Sequence, residues 1–390
     1  MQVPSTLPLV LLSLTIAAAP SAGQLSIEHA ATRPLPNSAA DQHGGTFTIT
    51  GLSGVTWLGG NSYAAAMDNS NHLVLFEMSL GTDGTIDSLA NIRGLTLSHS
   101  GDHEGIALAS PDSVFVSDEA ASTIREFTLA DGSLLRTLTV PAIYSGRRGN
   151  LGLESLSFDP AFAWTANEEA LTPDGPRATP ESGTRVRLLR ERTATDFALA
   201  QHAYIVEPMH GPIFPFGNPG QSGLADPVAL PDGTLLALER SLAFADPFFL
   251  TRIYEVGFAN ASDVSGLDAL HGAEFTPTGK TLLYQGGHSN LEGLCLGPRL
   301  TASTHALVGI VDDGDPISVN ALVVFRLAGL AACPADVNND AKIDIDDLHD
   351  LHQSPKDLDG DGAADSRDCD CLEAYLRRHE AFETAFGARP

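Results

Sequence analysis

A short strand pattern comes round five times in this chain, and it constrains the fold more than any other feature. One copy runs Asp102-His-Glu-Gly-Ile-Ala-Leu, then Ser113-Val-Phe-Val-Ser-Asp-Glu119, then Thr123-Ile-Arg-Glu-Phe-Thr-Leu129. Others begin at Gly152-Leu-Glu-Ser-Leu-Ser-Phe, Leu224-Ala-Asp-Pro-Val-Ala-Leu and Asn290-Leu-Glu-Gly-Leu-Cys-Leu, and a more degenerate copy begins at Leu52-Ser-Gly-Val-Thr-Trp57. Each unit holds three or four short runs rich in Val, Leu, Ile, Phe and Thr, bounded by Gly, Pro, Asp and Asn, which is the pattern of strands and turns. Asp131-Gly132 and Asp232-Gly233 are hairpin-type turns. Radial stacking of such units leaves few open sheet edges. The expected fold is mainly β, a β-propeller of five or six blades over residues 24–330, with a pair of β-sandwiches as the alternative. A sixth blade would lie in residues 255–290, around Thr281-Leu-Leu-Tyr284. Leu25–Ile27 and Thr46–Thr50 would complete the last blade and close the ring.

Acidic residues recur in register with these units. The first strand starts beside Glu104, Glu154, Asp226 or Glu292; the second ends on Asp68, Asp118 or Glu119, Glu168, Glu239 or Asp312. First strands line the channel of a propeller, so Glu104, Glu154, Glu168, Glu239 and Glu292 are expected to converge on one mouth as the functional site. Like charges packed together call for a bound cation, an arginine or raised pKa values, and calcium suits carboxylate rings. The competing reading gives each glutamate a local backbone partner at a blade interface. Arg147, Arg148 and Arg240 are the anion-binding candidates.

Near the C-terminus two acidic loops stand in tandem, with starts 21 residues apart. Oxygen-bearing side chains fall at positions 1, 3, 5, 9 and 12 of each: Asp336, Asn338, Asp340, Asp344 and Asp347, then Asp357, Asp359, Asp361, Asp365 and Asp368. Position 7, Lys342 or Ala363, supplies a backbone carbonyl. That alternation offers calcium the six to eight oxygens it takes. The stretch from about Cys333 to His379 resembles a dockerin-type module, in which two calcium loop–helix units pair and dock onto a partner. The resemblance implies a small α-helical calcium module over residues 331–390 and a cell-surface or scaffold protein as partner. Positions 10 and 11, Ile345-Asp346 and Ser366-Arg367, depart from the Ser/Thr of the cellulosomal type, so a cohesin is not implied.

Residues 1–23 read as a secretory signal: Leu7 to Ala19 is apolar, Pro20-Ser-Ala-Gly23 follows, and the run is too short to span a bilayer. A secreted, periplasmic or cell-surface location follows, with no transmembrane segment. Cys333 is expected to bridge to Cys369 or Cys371, while Cys295 sits in an apolar strand as a buried thiol. The net charge of −27 argues against nucleic acid. Residues 333–390 carry 15 Asp/Glu against 6 Lys/Arg, so most of that charge belongs to the body of the chain.

The ordered set Asp102-His-Glu-Gly-Ile, Asn150-Leu-Gly-Leu-Glu-Ser-Leu, Thr165-Ala-Asn-Glu-Glu-Ala-Leu171 and Ser289-Asn-Leu-Glu-Gly-Leu294 resembles the phytase-like family described as having esterase-like activity, over about residues 50–327. The resemblance implies a secreted calcium-dependent hydrolase of phosphoesters or other esters acting on a phosphorylated or ester small molecule. The alternative is a non-catalytic extracellular ligand-binding or scaffold propeller. The sequence has no Gly-x-Ser-x-Gly elbow, no zincin His pair and no Gly-rich phosphate loop ending in Gly-Lys-Ser/Thr.

Overall fold

The computed structural model describes residues 24–158, 162–192, 197–217, 219–230, 234–301, 303–330, 337, 345–356 and 372. Among them are five antiparallel four-stranded sheets, one of them extended by two short edge strands. Blade 1 comprises Leu52–Gly59, Ser62–Met67, Ser70–Leu80 and Ile86–Gly101; blade 2 comprises His103–Ser110, Ser113–Asp118, Thr123–Thr128 and Leu134–Leu138. Blade 3 comprises Ser157–Phe158, Phe162–Ala166, Thr184–Arg192 and Phe197–Val206. Blade 4 comprises Gln221–Ala229, Leu235–Leu242, Phe249–Gly257 and Gly279–Gly286. Blade 5 takes Leu291–Thr301, Thr304–Val311 and Ala321–Ala328 from the end of the repeat region and Ser26–Pro34 from its beginning. The inner strands touch one another in cyclic order, blade 5 against blade 1 included, which makes a closed five-bladed propeller.

Side-chain alternation builds the ring. Successive residues of a strand point to opposite faces, and in a propeller both faces meet a neighbouring blade. In blade 5, Ala306, Val308 and Ile310 pack against Tyr63, Ala65 and Val74 of blade 1. The intervening Leu307 and Val311 pack against Leu236, Leu238 and Ile253 of blade 4. Ala64, Ala66 and Leu73 of blade 1 turn the other way, onto Val114, Val116 and Phe127 of blade 2. The remaining interfaces repeat the scheme. Middle strands buried on both faces read as near-continuous apolar runs, such as Ala306-Leu-Val-Gly-Ile-Val311.

Two expectations are corrected. Residues 255–290 hold no sixth blade: Thr281–Tyr284 lies in Gly279–Gly286, the outer strand of blade 4, reached after an excursion whose Val264 N–H donates to Gln201 O of blade 3 at 2.7 Å. That excursion is pinned by Arg187, which is fully buried, pairs with Asp174 at 2.7 Å and donates to Val264 O and Leu267 O. The ring is closed by Ser26–Pro34, paired from Ser26 opposite Ala328 to Pro34 opposite Ala321 with a one-residue slip between His29 and Ala31. Thr46–Thr48 instead pairs with Ser38–Asp41 at the outer edge of blade 1. The sandwich alternative falls with the closed ring.

Among the described residues no helix is long and apolar enough to cross a membrane. Cys295 carries a free, half-buried thiol on the inner strand of blade 5, its pKa pushed up by burial. Cys333, Cys369 and Cys371 lie outside the described residues.

Candidate functional site

The inner strands carry a slip in register at the same step. In blade 1 the pairing with the second strand skips between Leu52 and Gly54, in blade 2 between His103 and Ile106, in blade 4 between Leu224 and Asp226, and in blade 5 between Leu291 and Gly293. A bulge of this kind unpairs a residue and re-aims its side chain. The residues so placed are Ser53, Glu104, Ala225 and Glu292; Glu154 takes the same step in blade 3, next to the isolated bridge of Leu153 with Asn167.

The glycine after each glutamate has a separate cause. A Cβ on Gly105 would stand 2.2 Å from Leu156 N of blade 3, and one on Gly293 2.8 Å from Ser53 O of blade 1. The inner strands meet backbone to backbone at these points, so Glu-Gly encodes a channel-facing carboxylate followed by a close blade contact. Ser155 fits in blade 3 because its Oγ accepts from Ala166 N at 3.1 Å within its own blade. Asp226 holds the glycine's place in blade 4 and turns to the neighbouring blade, accepting from Leu294 N at 2.8 Å.

A second tier comes from the ends of the second strands. The N–H groups of Asp68, Glu119, Glu168 and Asp312 donate to Gly51 O, Asp102 O, Gly152 O and Asn290 O at 2.7–3.0 Å. In blade 4 the same register position, opposite Gly223, is Arg240. Arg240 reaches across the mouth: it donates to Glu168 at 2.7 Å, to Asn290 Oδ1 at 2.6 Å and to Glu292 in a short ion pair. Asn290 donates in turn to Asp312 at 2.9 Å. Asn150, with its amide turned to satisfy both, donates to Glu119 at 2.9 Å and Asp102 at 3.1 Å.

Four of the five glutamates expected to converge therefore do so: Glu104, Glu154, Glu168 and Glu292. Glu239 does not. It stands opposite Leu224, one residue before Arg240, and its side chain turns into the interface of blades 3 and 4. There it accepts from Tyr204 Oη and Lys280 Nζ, each at 2.7 Å, and from Glu207 N at 3.0 Å. Asp118 is likewise withdrawn, paired with Arg125. Arg148 is committed to the carbonyls of Ala170, Thr172 and Gly175, and Arg147 reaches Ala120 O at 3.4 Å.

Counting Glu119, Asp68, Asp102 and Asp312, eight carboxyl groups gather around the Arg240 guanidinium, with the Arg147 side chain beside Glu119. Burial, reinforced by like charges, raises the pKa values of Asp68, Glu104, Glu119, Glu154, Glu292 and Asp312. Glu119 and Glu292 are pushed up to about 8 and Asp68 to about 6. Glu104 and Glu154 rise well above the ordinary carboxylate range, Glu154 with Glu104, Glu168, Glu119 and Glu292 all repelling its charge. Asp68, Asp102 and Glu104 each offer an oxygen within 4.8 Å of the others, and buried Asp102 Oδ1 and Asp312 Oδ1 have no hydrogen-bond partner. All-oxygen donors in negative excess fit a hard divalent cation.

Of the C-terminal loop residues, Asp347 is described: it is buried in the first turn of the helix Ile345–Gln353 and accepts from Val337 N at 2.6 Å. Asp336, Asn338, Asp340, Lys342, Asp344, Asp357, Asp359, Asp361, Ala363, Asp365 and Asp368 lie outside the described residues.

Fold and site together define a five-bladed propeller with an acidic channel mouth. A family model described as phytase-like, esterase-like activity of phytase, matches residues 48–314, more than half of the chain, and the protein belongs to that phytase-like family. A comparison with curated proteins finds no match. Similar solved structures include a luciferin-regenerating enzyme (10% identity over 77% of this chain and 96% of that one, TM-score 0.36). Kuenenia stuttgartiensis hydrazine synthase gives 8% identity over 68% and 78%, TM-score 0.35. A streptogramin B lyase gives 9% over 78% and 98%, TM-score 0.32. Likeness at this level bears on no activity.

Proposed function

We propose that the protein is a secreted, calcium-dependent ester hydrolase whose site is the acidic channel mouth, with phosphoesters as the first substrate class to test. The observation that carries this reading is the meeting of eight carboxyl groups and one arginine from five blades at one end of the channel. Asp68, Asp102 and Glu104 would hold the cation, since their oxygens lie close together and Asp102 keeps an unpartnered one. Bound there, calcium would offset ester or phosphate charge and lower the pKa of a coordinated water. Glu119, whose pKa burial pushes up to about 8, would hold a proton that can pass to a leaving oxygen. Arg240 orients Glu168 and Glu292 and brings a positive charge into the mouth.

The test is hydrolysis of p-nitrophenyl phosphate and p-nitrophenyl acetate by the full chain, in calcium and in a chelator. Glu104→Gln and Glu154→Gln are expected to weaken calcium binding at the mouth and to lower kcat/KM by about a hundredfold or more. Full activity in both variants would place the chemistry elsewhere.

The same proposal takes residues 1–23 as a secretory signal and residues 331–390 as a dockerin-like calcium module that displays the propeller on a surface or scaffold protein. Asp347 supports the second part: the carboxylate at loop position 12 folds back onto the N–H at position 2, which draws the ends of the first loop together. Asp336→Ala and Asp357→Ala are each expected to remove one bound calcium per chain in a calorimetric titration. An unchanged stoichiometry in both would remove the module from the proposal.

A further inference from the structure

Strand direction assigns every connecting loop to one end of the channel. Second strands end at the acidic mouth and inner strands start there, so the links from second to third strand and from outer strand to next blade lie on the mouth face. Among the described residues eight large apolar side chains are exposed, and six of them stand on those links. Ile213 and Phe216 lie between blades 3 and 4, Phe244 and Phe248 between the second and third strands of blade 4, and Ile317 and Val319 on the matching link of blade 5. Phe216 is 89% exposed. An apolar patch confined to one face of a chain of net charge −27 marks an interaction site.

The patch is built, and it joins the mouth. Phe214 packs between Phe244 and Phe248, with ring centroids 5.7 and 5.9 Å away. Phe244 N–H donates to Pro212 O at 2.8 Å and ties the two loops together. Beside them lies an open cleft of about 670 Å³ lined by Met209, His210, Pro212 and Ile213 and also by Thr179 and Glu181. His210 Nδ1 meets Ser241 Oγ at 2.8 Å, and Ser241 directly follows Arg240 of the mouth.

Charge decides which esters can use such a site. Arg240 is committed to Glu168, Glu292 and Asn290, Arg148 to three carbonyls, and Lys280 to Glu207 and Glu239, which leaves Arg147, beside Glu119 and with one carbonyl contact, as a single cation near the mouth. A polyphosphorylated substrate would press several anionic groups against eight carboxyls without a field of arginines and lysines to receive them. An ester with one polar reacting group and a bulky apolar remainder meets the opposite situation: the reacting group faces the mouth and the remainder covers the aromatic patch. We infer that the substrates are esters of aryl or acyl groups, and that the cleft and the Phe214–Phe244–Phe248 cluster bind the apolar part. This rests on the reading of the mouth as an ester-hydrolysing site.

The experiment compares 1-naphthyl phosphate and 1-naphthyl acetate with methyl phosphate, methyl acetate and inositol hexakisphosphate, on the full chain in calcium. It adds equilibrium binding of the non-hydrolysable (1-naphthylmethyl)phosphonate, in which a CH2 replaces the ester oxygen, read by fluorescence. The naphthyl esters are expected to be preferred. In the double variant F216S/F244S, which changes only exposed side chains, the naphthyl-to-methyl ratio of kcat/KM and the affinity for the phosphonate should each fall roughly tenfold. Leu135→Ser, an exposed apolar change on another part of the surface, should alter neither. Turnover of naphthyl esters with both quantities unmoved in F216S/F244S overturns this inference and leaves the hydrolase reading standing. Faster turnover of inositol hexakisphosphate overturns it too. Absence of all turnover overturns the hydrolase reading; phosphonate binding that is lost in F216S/F244S would still support the apolar subsite, and absent or unaltered binding would remove it.

Discussion

Replacing Arg240 by methionine is expected to destabilise the calcium-free protein by about 3–5 kcal/mol, the usual cost of removing one partner from a buried ion pair. The guanidinium sits under Glu168 and Glu292, with side-chain exposures of 11%, 2% and 13%. Its removal leaves Glu168 without its cation among the other mouth carboxyls, and it strips both Glu292 and Asn290 of a donor. An exposed pair sets the scale: Arg326 and Glu28, 38% and 70% exposed, should cost no more than about 1 kcal/mol when Arg326 is replaced by methionine. Calcium should recover much of the Arg240 loss, because a cation in the mouth offsets the same excess charge. Urea unfolding of the full chain with and without calcium measures both quantities. An Arg240→Met loss no larger than that of Arg326→Met, or one that calcium leaves untouched, would contradict a mouth held together by this balance of charge.

The propeller was legible in the sequence because its units repeat two physical demands at once. Each middle strand must be apolar on both faces, and the inner strands of blades 1, 2 and 5 need a glycine where a neighbouring blade's backbone approaches, at Gly54, Gly105 and Gly293. The closing strand was legible for a related reason: the last unit shows only three strands, and an apolar segment at Leu25–Ile27 stood ready to supply the fourth. Blade number was blurred by the excursion before Gly279–Gly286, which puts the outer strand of blade 4 far along the sequence from the strand it pairs with.

The site was legible in part, and register explains the rest. Glu104, Glu154 and Glu292 could be found because the bulge recurs at the same step of their strands. Glu239 could not be separated from Arg240 by pattern alone. A slip of one residue sends a side chain to the other face of the strand, and alignment by acidic character chose Glu239 where strand pairing selects Arg240. Matching Gly223 to Gly51 and Gly152, each just before an inner-strand leucine, is the signal that would have found Arg240. Asn150 was out of reach, since it comes from a loop and is tied to Glu119 and Asp102 only in three dimensions.

In a chelator, the propeller is expected to lose stability as pH rises from about 4.5 to about 8, opposite to the trend for proteins held by ion-paired carboxylates. Burial and like charges push Asp68 up to about 6 and Glu119 and Glu292 up to about 8 in the folded chain, and Glu104 and Glu154 are also raised. In the unfolded chain the same groups ionise at their ordinary values of 3.8 for aspartate and 4.5 for glutamate. Between the two sets of values the folded protein binds more protons than the unfolded one, so each rise in pH favours unfolding. Above about 8 the Glu119 and Glu292 contributions level off. Exposed carboxylates with lowered values, such as Asp83 and Asp131, act in the other direction, but only below their ordinary range. Calcium should reverse the sign, because it binds the ionised carboxylates and so binds more tightly as they lose protons. Melting temperatures of the full chain in calcium and in chelator should nearly coincide at about pH 5. By about pH 8 they should differ by roughly 10 °C. A calcium-free melting temperature that climbs steadily from pH 5 to 8 would show that the mouth carboxyls are not held protonated, and the case for a cation to balance them would go with it.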